Sequence, residues 1–277
     1  MKLKEVRHLL TYNCNLRCLH CYLRGGENPM LPSNFTQKEL DAFYLHFQPD
    51  VVSATGGEPL LQPVMVEKLA RSVSRYGGAL ELVTNGFFIT ENTVARLNNI
   101  NPKTFYQISL DGDKPYHDYL RNHPQAFEMA IQAIKIASAS GAVTKARFTA
   151  TNGNLSTLPT VIRILDDLGD PSIKLVIRPI LSKGRGLDNE LTVDKDFEYF
   201  DQFADMAEMI EVETTDNTGK CGCGVDTVAI DPLGDIYPCT YFTRNPEYKM
   251  GHLKDFSDMT EHKDFKKFNG ACYARSL

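Results

Sequence analysis

Val51-Val52-Ser53-Ala54-Thr55-Gly56-Gly57-Glu58-Pro59 is a β-branched apolar run that stops in a double-glycine turn. Apolar residues at helical spacing follow over Val64–Tyr76, and then a second strand-like run, Leu80–Thr84. A strand, a turn, a helix and another strand make a βαβ unit, which sets its two strands parallel. Working outward, the same alternation recurs. Further strands are expected at Val6–Tyr12, Thr104–Leu110, Thr144–Thr151 and Ile173–Arg178, and further helices at Lys38–Phe47, Asn92–Leu97, Phe127–Ala139 and Leu158–Leu168. Six parallel strands with crossover helices imply an α/β fold. They are too few for a closed eight-stranded barrel and suit a partial (β/α)6, TIM-like one.

In such sheets functional groups gather at the carboxyl ends of the strands. The unusual short motifs fall there: Thr55-Gly56-Gly57-Glu58-Pro59, Thr84-Asn85-Gly86, Ser109-Leu110-Asp111-Gly112, Asn152-Gly153-Asn154 and Arg178-Pro179. Gly, Asn and Asp also serve as plain turn formers, so each motif has a structural as well as a chemical reading. Beyond the polar, glycine-rich Ser182-Lys183-Gly184-Arg185-Gly186-Leu187 the character changes, with a helix expected from about Val193 to Met209. A boundary is placed there, giving a barrel over residues 1–185 and a small C-terminal cysteine-rich β-hairpin/helix module over 186–277.

The 277 residues carry 30 Lys+Arg and 35 Asp+Glu, a net charge of -5. This mild acidity argues against a nucleic-acid or anionic-membrane partner. The N-terminal MKLKEVRHLLTYNCN lacks the apolar run of a signal peptide, and nothing later reaches the length of a membrane span. A cytoplasmic location is expected.

Cysteine placement is the most informative feature. The seven are Cys14, Cys18 and Cys21 near the start, then Cys221, Cys223, Cys239 and Cys272 in the last fifth. An odd number without a secretion signal is a poor disulfide framework. Two clustered groups fit metal ligation, with three ligands at one end and four at the other.

The sharpest motif is Cys14-Asn15-Leu16-Arg17-Cys18-Leu19-His20-Cys21-Tyr22, in a loop just past the first strand. Its tight spacing lets three thiolates converge on one iron–sulfur cluster, leaving one of four irons without a protein ligand. Structural zinc prefers four ligands, commonly paired Cys-x2-Cys. This Cys-x3-Cys-x2-Cys followed by an aromatic resembles the signature of the radical S-adenosylmethionine (SAM) superfamily. That resemblance implies a SAM-binding [4Fe-4S] cluster on Cys14, Cys18 and Cys21, with Tyr22 near the adenine. It implies that Gly56, Gly57 and Glu58 form the family's GGE element, the carboxylate accepting from the SAM ammonium. It also implies that Ser109 and Asp111 contact the ribose, that Arg178 binds the SAM carboxylate, and that Asn152 contacts ribose or carboxylate. His20 reads as a solvated loop histidine.

Near the C-terminus, Val228–Ile230 and Asp235–Tyr237 read as a hairpin around Pro232-Leu233-Gly234 that returns Cys239 beside Cys221 and Cys223. Cys272, after a short helix around Asp264–Phe268, closes a four-thiolate site. Cys221, Gly234, Ile236-Tyr237-Pro238-Cys239 and Gly251-His252-Leu253-Lys254-Asp255 resemble the SPASM or twitch extension. That implies one auxiliary [4Fe-4S] cluster on Cys221, Cys223, Cys239 and Cys272. Cys223 is either the fourth ligand or a thiol that donates hydrogen to a product radical, and a zinc hairpin is the alternative for all four. Sulfatase-maturing relatives carry an acid after the cysteine equivalent to Cys239; Thr240 stands here, against formylglycine chemistry.

The resemblance implies reductive cleavage of SAM and hydrogen abstraction from a substrate. The first reading is a ribosomally made peptide that is crosslinked, epimerised or oxidised. A separate leader-peptide-binding protein is then expected, since the first strand begins near residue 6. The second is a small molecule such as a sugar or aminocyclitol, dehydrogenated or epimerised. A non-enzymatic metal-binding module is the third. Flavodoxin or ferredoxin is the expected electron donor.

Overall fold

In a computed structural model the chain is described for residues 2–27, 33–194, 197–209, 211–214, 222–257 and 259. Strands β1 (Glu5–Leu9), β2 (Val51–Thr55), β3 (Ala79–Thr84), β4 (Thr104–Ser109), β5 (Thr144–Ala150) and β6 (Ile173–Pro179) lie side by side in chain order, every pair parallel. Between them run helices α1 (Gln37–Phe47), α2 (Pro63–Ser74), α3 (Glu91–Ile100), α4 (Lys114–Arg121), α5 (Ala126–Ala139) and α6 (Leu158–Asp166). The sheet does not close, so the expected partial barrel is the fold.

The strands and helices expected of the barrel are all present, with ends shifted by at most three residues. α4 is an addition. Its apolar pattern is thin, and it is held instead by Asp113, whose side chain caps the Tyr116 N–H, and by a left-handed Asn122 at its C-cap. Sequence also points to one helix from Val193 to Met209; the structure shows α8 (Phe197–Asp201) and then a 3-10 turn, Ala204–Met206. The cause is visible at the far end. The Asp166 carboxylate accepts from the N–H groups of Glu208 and Met209 at 3.0 and 2.6 Å, turning the chain out of the helix. A short α7 (Arg185–Asp188) precedes it.

Four more strands extend the sheet: β7 (Glu211–Thr214), parallel to β6, and the run β8 (Thr227–Ile230), β9 (Asp235–Tyr237) and β10 (Gly251–His252). β8 and β9 are the expected hairpin. β8 pairs in parallel with β1, Glu5 opposite Thr227 and His8 opposite Ile230, so the hairpin continues the barrel sheet. The helix expected around Asp264–Phe268 lies outside the described residues.

Strand side chains alternate between two environments. Val52, Leu80, Leu82, Ile108, Phe148 and Leu175 are fully buried against the helices in one apolar core. The opposite set, including Arg7, Ser53, Glu81, Gln107, Arg147 and Arg178, lines an interior cavity of about 1520 Å³. A polar inner face keeps the open barrel from collapsing into a side-chain-filled core.

Candidate active site: three thiols at the mouth of a polar cavity

Cys14, Cys18 and Cys21 all border this cavity, at the carboxyl end of β1. Each sulfur has an N–H donor beside it. Leu16 N lies 3.4 Å from Cys14 Sγ, Gly25 N 3.3 Å from Cys21 Sγ, and Arg121 Nη1 3.8 Å from Cys18 Sγ. Asn85 Nδ2 is a second donor to Cys14, at 3.8 Å. Burial pushes the Cys14 thiol up to about 12 and raises Cys18 as well, so ionised sulfur here needs a compensating cation. Bound iron supplies that, and N–H groups aimed at cluster sulfurs are a known tuning device. Among the described residues no three His, Cys, Asp or Glu side chains are placed around a single metal ion. A four-iron cluster asks for something else, one thiolate on each of three irons, and the three cysteines fit it.

The loop is held by its neighbours. Gly57 N donates to Thr11 O at 2.7 Å and Glu58 N to Asn13 O at 2.8 Å, tying the turn after β2 to the run into Cys14. A Cβ on Gly57 would overlap the Asn13 carbonyl, and one on Gly56 (φ +132°) the Thr11 carbonyl. The close approach these glycines allow is therefore made first by the chain's own backbone, while both also border the cavity. From α7, Arg185 reaches the same loop, its Nε donating to Cys18 O at 2.7 Å and its Nη atoms to Gly25 O at 3.1 and 3.2 Å.

Of the expected cofactor contacts, Tyr22, Gly56, Gly57, Ser109 and Arg178 border the cavity, whereas Glu58, Asp111 and Asn152 do not. Glu58 is fully buried and accepts from Thr84 Oγ1 (2.8 Å), Asn85 N (2.9 Å) and Leu60 N (3.2 Å), fastening the end of β2 to that of β3. Burial raises its carboxyl to about 7 against those three bonds. Asp111, also fully buried, is gripped by Arg121 Nε and Nη2 at 2.7 and 2.5 Å and accepts from Thr149 N. Burial, the largest single influence, would raise it; Arg121, His20, His117 and the Thr149 N–H together outweigh that and hold it at about 2. Asn152 is spent on the 192–194 segment, its side chain bonding Asp194 N and Oδ2 at 2.9 and 2.8 Å.

Three residues of the site are not among the expected cofactor contacts. Arg121 borders the cavity between Cys18 and Asp111. Asn154 accepts from Thr151 N and donates to Asp111 O and Thr149 O, joining the ends of β4 and β5. His20 is no solvated histidine: its side chain is 12% exposed, 3.9 Å from Asp111, and burial lowers it to about 3, so it is neutral. A buried Asn and an Asp-capped helix carrying His-x3-Arg were the available signals.

Across the cavity mouth, Cys223 and Cys239 are buried together with Phe242, and both border the cavity. Gly224 N donates to both Thr227 O and Pro238 O, bringing the two cysteine-bearing segments together. Cys221 and Cys272 lie outside the described residues. Tyr22 stacks at 4.5 Å on Tyr241, so the aromatic after the triad meets the segment after Cys239.

The sequence profile of the Radical SAM superfamily matches residues 9–170, more than half of the chain. The chain is 26% identical over 256 residues to the antilisterial bacteriocin subtilosin biosynthesis protein AlbA of Bacillus subtilis, covering 88% of this chain and 56% of that protein. It therefore spans little more than half the length of that relative. It is 26% identical to the pre-heme d1 synthase of Dinoroseobacter shibae, over 90% of this chain and 71% of that one. In three dimensions it resembles Streptococcus suis SuiB. With SuiB bound to S-adenosylmethionine the TM-score is 0.74 at 16% identity, covering 99% and 73% of the two chains. With SuiB bound to precursor peptide SuiA it is 0.72 at 14% identity, covering 100% and 67%. At these identities the structural likeness establishes the fold.

Proposed function

The chain belongs to the radical SAM superfamily, and from that premise we propose that it modifies a peptide. Members of this superfamily use a [4Fe-4S] cluster and SAM. Bound to Cys14, Cys18 and Cys21, such a cluster would supply the electron for reductive cleavage of SAM, the chemistry by which a hydrogen atom would be taken from substrate. The chain's own residues divide the remaining work. Cys14, Cys18 and Cys21 hold the cluster, and the Leu16, Gly25 and Arg121 donors stabilise negative charge on its sulfurs. Gly56, Gly57, Ser109 and Tyr22 border the space for SAM. Glu58 and Asp111 act as positioning residues, fixing the strand ends from behind.

The observation that carries the peptide reading is the similarity to AlbA, a bacteriocin biosynthesis protein, along 88% of the chain. A cavity of about 1520 Å³ is large enough for several side chains. A small-molecule substrate is the second reading, favoured by the match to pre-heme d1 synthase.

Residues 186–277 form the auxiliary unit in this account, although β8 joins it to the barrel sheet. Cys223 and Cys239, with Cys221 and Cys272, hold one auxiliary [4Fe-4S] cluster that exchanges the substrate electron; Cys223 as a hydrogen donor is the competing role. A flavodoxin or ferredoxin supplies reducing equivalents, and a separate protein presents the peptide leader. Among the described residues no helix is long and apolar enough to cross a membrane; a cytoplasmic setting is part of the proposal.

The test is turnover by anaerobically reconstituted protein with SAM, dithionite and either a pool of unmodified precursor peptides or a porphyrinoid. Peptides that raise 5'-deoxyadenosine above the substrate-free rate, with a mass or stereochemical change in the peptide, support the reading. Stimulation by the porphyrinoid alone replaces it with the second.

A further inference from the structure

Two guanidinium groups in the cavity wall make no direct hydrogen bond or ion pair with an acid among the described residues, although Glu81 supports the charge of Arg147 and Glu5 feels that of Arg178. Arg147 on β5 is in register with Val176 of β6, and Arg178 stands two residues farther along β6, opposite Thr149. Both therefore project from the same inner face of adjacent strands, one step apart. The Nε atoms of both are buried and have no hydrogen-bond partner among the described residues. The Arg147 head donates from Nη1 to Gln107 Oε1 at 3.4 Å, a long bond to a neutral group.

The nearby acids are engaged elsewhere. Glu5 spends both oxygens on Arg7, at 2.7 and 3.1 Å, and Glu81 accepts from Ser53 Oγ at 2.5 Å. Lys145 adds a further positive charge to the same wall. Burial first, and then the charges of Arg178 and Arg7, lower Arg147 to about 9. Like charges held in a sheltered cavity with idle donors are costly unless an anion sits between them. Guanidinium forks match one ligand shape best, a planar carboxylate gripped in two places.

We propose that Arg147 and Arg178 form a subsite for a carboxylate of the substrate, inside the barrel and facing the cavity. In a peptide this group is either an Asp or Glu side chain or the terminal carboxylate. The proposal rests on the peptide reading for the identity of the substrate, while the subsite itself follows from the cavity wall. It also assigns Arg178 to the substrate in place of the SAM carboxylate expected from the sequence, and sets both arginines apart from the residues that border the SAM space.

The experiment uses anaerobically reconstituted full-length protein with SAM present and ligand-observed NMR. Three probes are compared: N-acetylglutamate N-methylamide for a side-chain carboxylate, N-acetylalanine for a terminal one, and N-acetylglutamine N-methylamide as the neutral control. One carboxylate probe is expected to bind wild type, with the neutral control at least tenfold weaker, and which one binds identifies the source. Arg147→Gln and Arg178→Gln each weaken that probe roughly tenfold to a hundredfold. Arg147→Lys, which keeps the charge and loses the fork, falls between. The affinity of Arg147→Gln for SAM stays at the wild-type value. The subsite is overturned if neither carboxylate binds wild type, if binding survives both glutamine variants, if inorganic phosphate binds more tightly than either carboxylate, or if Arg147→Gln loses SAM and probe together. Binding of a carboxylate probe without turnover of any peptide upholds the subsite and removes the peptide reading.

Discussion

Arg121 holds Asp111 with two nitrogens, at 2.7 and 2.5 Å, and turns a third toward Cys18 Sγ at 3.8 Å. One guanidinium thus joins the motif after β4 to the middle cysteine of the triad. Replacing Arg121 by Met strands a fully buried carboxylate, which costs about 3–5 kcal/mol. The companion change Asp111→Asn removes the stranded charge, so the double variant is expected to be more stable than the sum of the singles by about 1–3 kcal/mol. Urea melts of the four proteins give this coupling directly. Additive losses would mean that the pair does not act as a unit.

Gly57 separates a backbone requirement from general glycine flexibility. Gly57→Ala drives a Cβ into the Asn13 carbonyl, so the Cys14 loop must shift, and loss of the cluster on Cys14, Cys18 and Cys21, about half of the bound iron, is expected. Gly141 is the control, with φ +77° and nothing within 4 Å of an added Cβ. Its replacement by Ala costs only about 1–2 kcal/mol of left-handed strain and leaves iron content unchanged. Iron assays on the two variants make the comparison.

Arg185 anchors the triad from a helix of four residues, bonding the carbonyls of Cys18 and Gly25. Arg185→Ala is expected to leave far-UV circular dichroism unchanged while occupancy of the cluster on Cys14, Cys18 and Cys21 after reconstitution falls to roughly half or less of wild type. Full iron content in that variant would show that the loop is set without this clamp.

His8 is fully buried against Tyr44 Oη, at 2.8 Å, and burial lowers its pKa from 6.5 to about 3. The native state therefore resists the proton that the unfolded chain accepts. The stability this gives is complete above pH 6.5 and is lost progressively as pH falls toward 3. At pH 5.5 the loss from His8 is about 1.4 kcal/mol. His117 and His20, lowered by burial to about 4 and about 3, add their own shares. His8→Phe should reduce the drop in stability between pH 7.5 and 5.5 by about 1.4 kcal/mol. An unchanged drop would show that His8 titrates normally.

The barrel was readable because each of its strands is a short β-branched or apolar run followed by a turn signal, and Val51–Thr55 was placed to the residue. α4 was not readable by periodicity, since its buried side chains are His117, Leu120 and Arg121, two of them polar. The pairing of β8 with β1 joins Glu5 to Thr227 across most of the chain, and no local pattern reports such a contact. In the site, the cysteine spacing marked the loop that brings Cys14, Cys18 and Cys21 to the cavity. What it did not reveal was which polar residues face the cavity. Glu58 and Asp111 stand at the expected strand ends but do not line the cavity, because Thr84, Asn85 and Arg121 are there to satisfy them. Arg147 carried no motif at all; only the register of β5 places it on the inner face.

The central claim is that Cys14, Cys18 and Cys21 hold the cluster that cleaves SAM. It is tested most directly by 5'-deoxyadenosine formation from SAM and dithionite, comparing anaerobically reconstituted wild type with the Cys14/Cys18/Cys21→Ala variant. Accumulation in wild type and none in the variant, which keeps Cys223 and Cys239, is the predicted result. Equal yields from the two proteins, or no product from iron-loaded wild type, would contradict it.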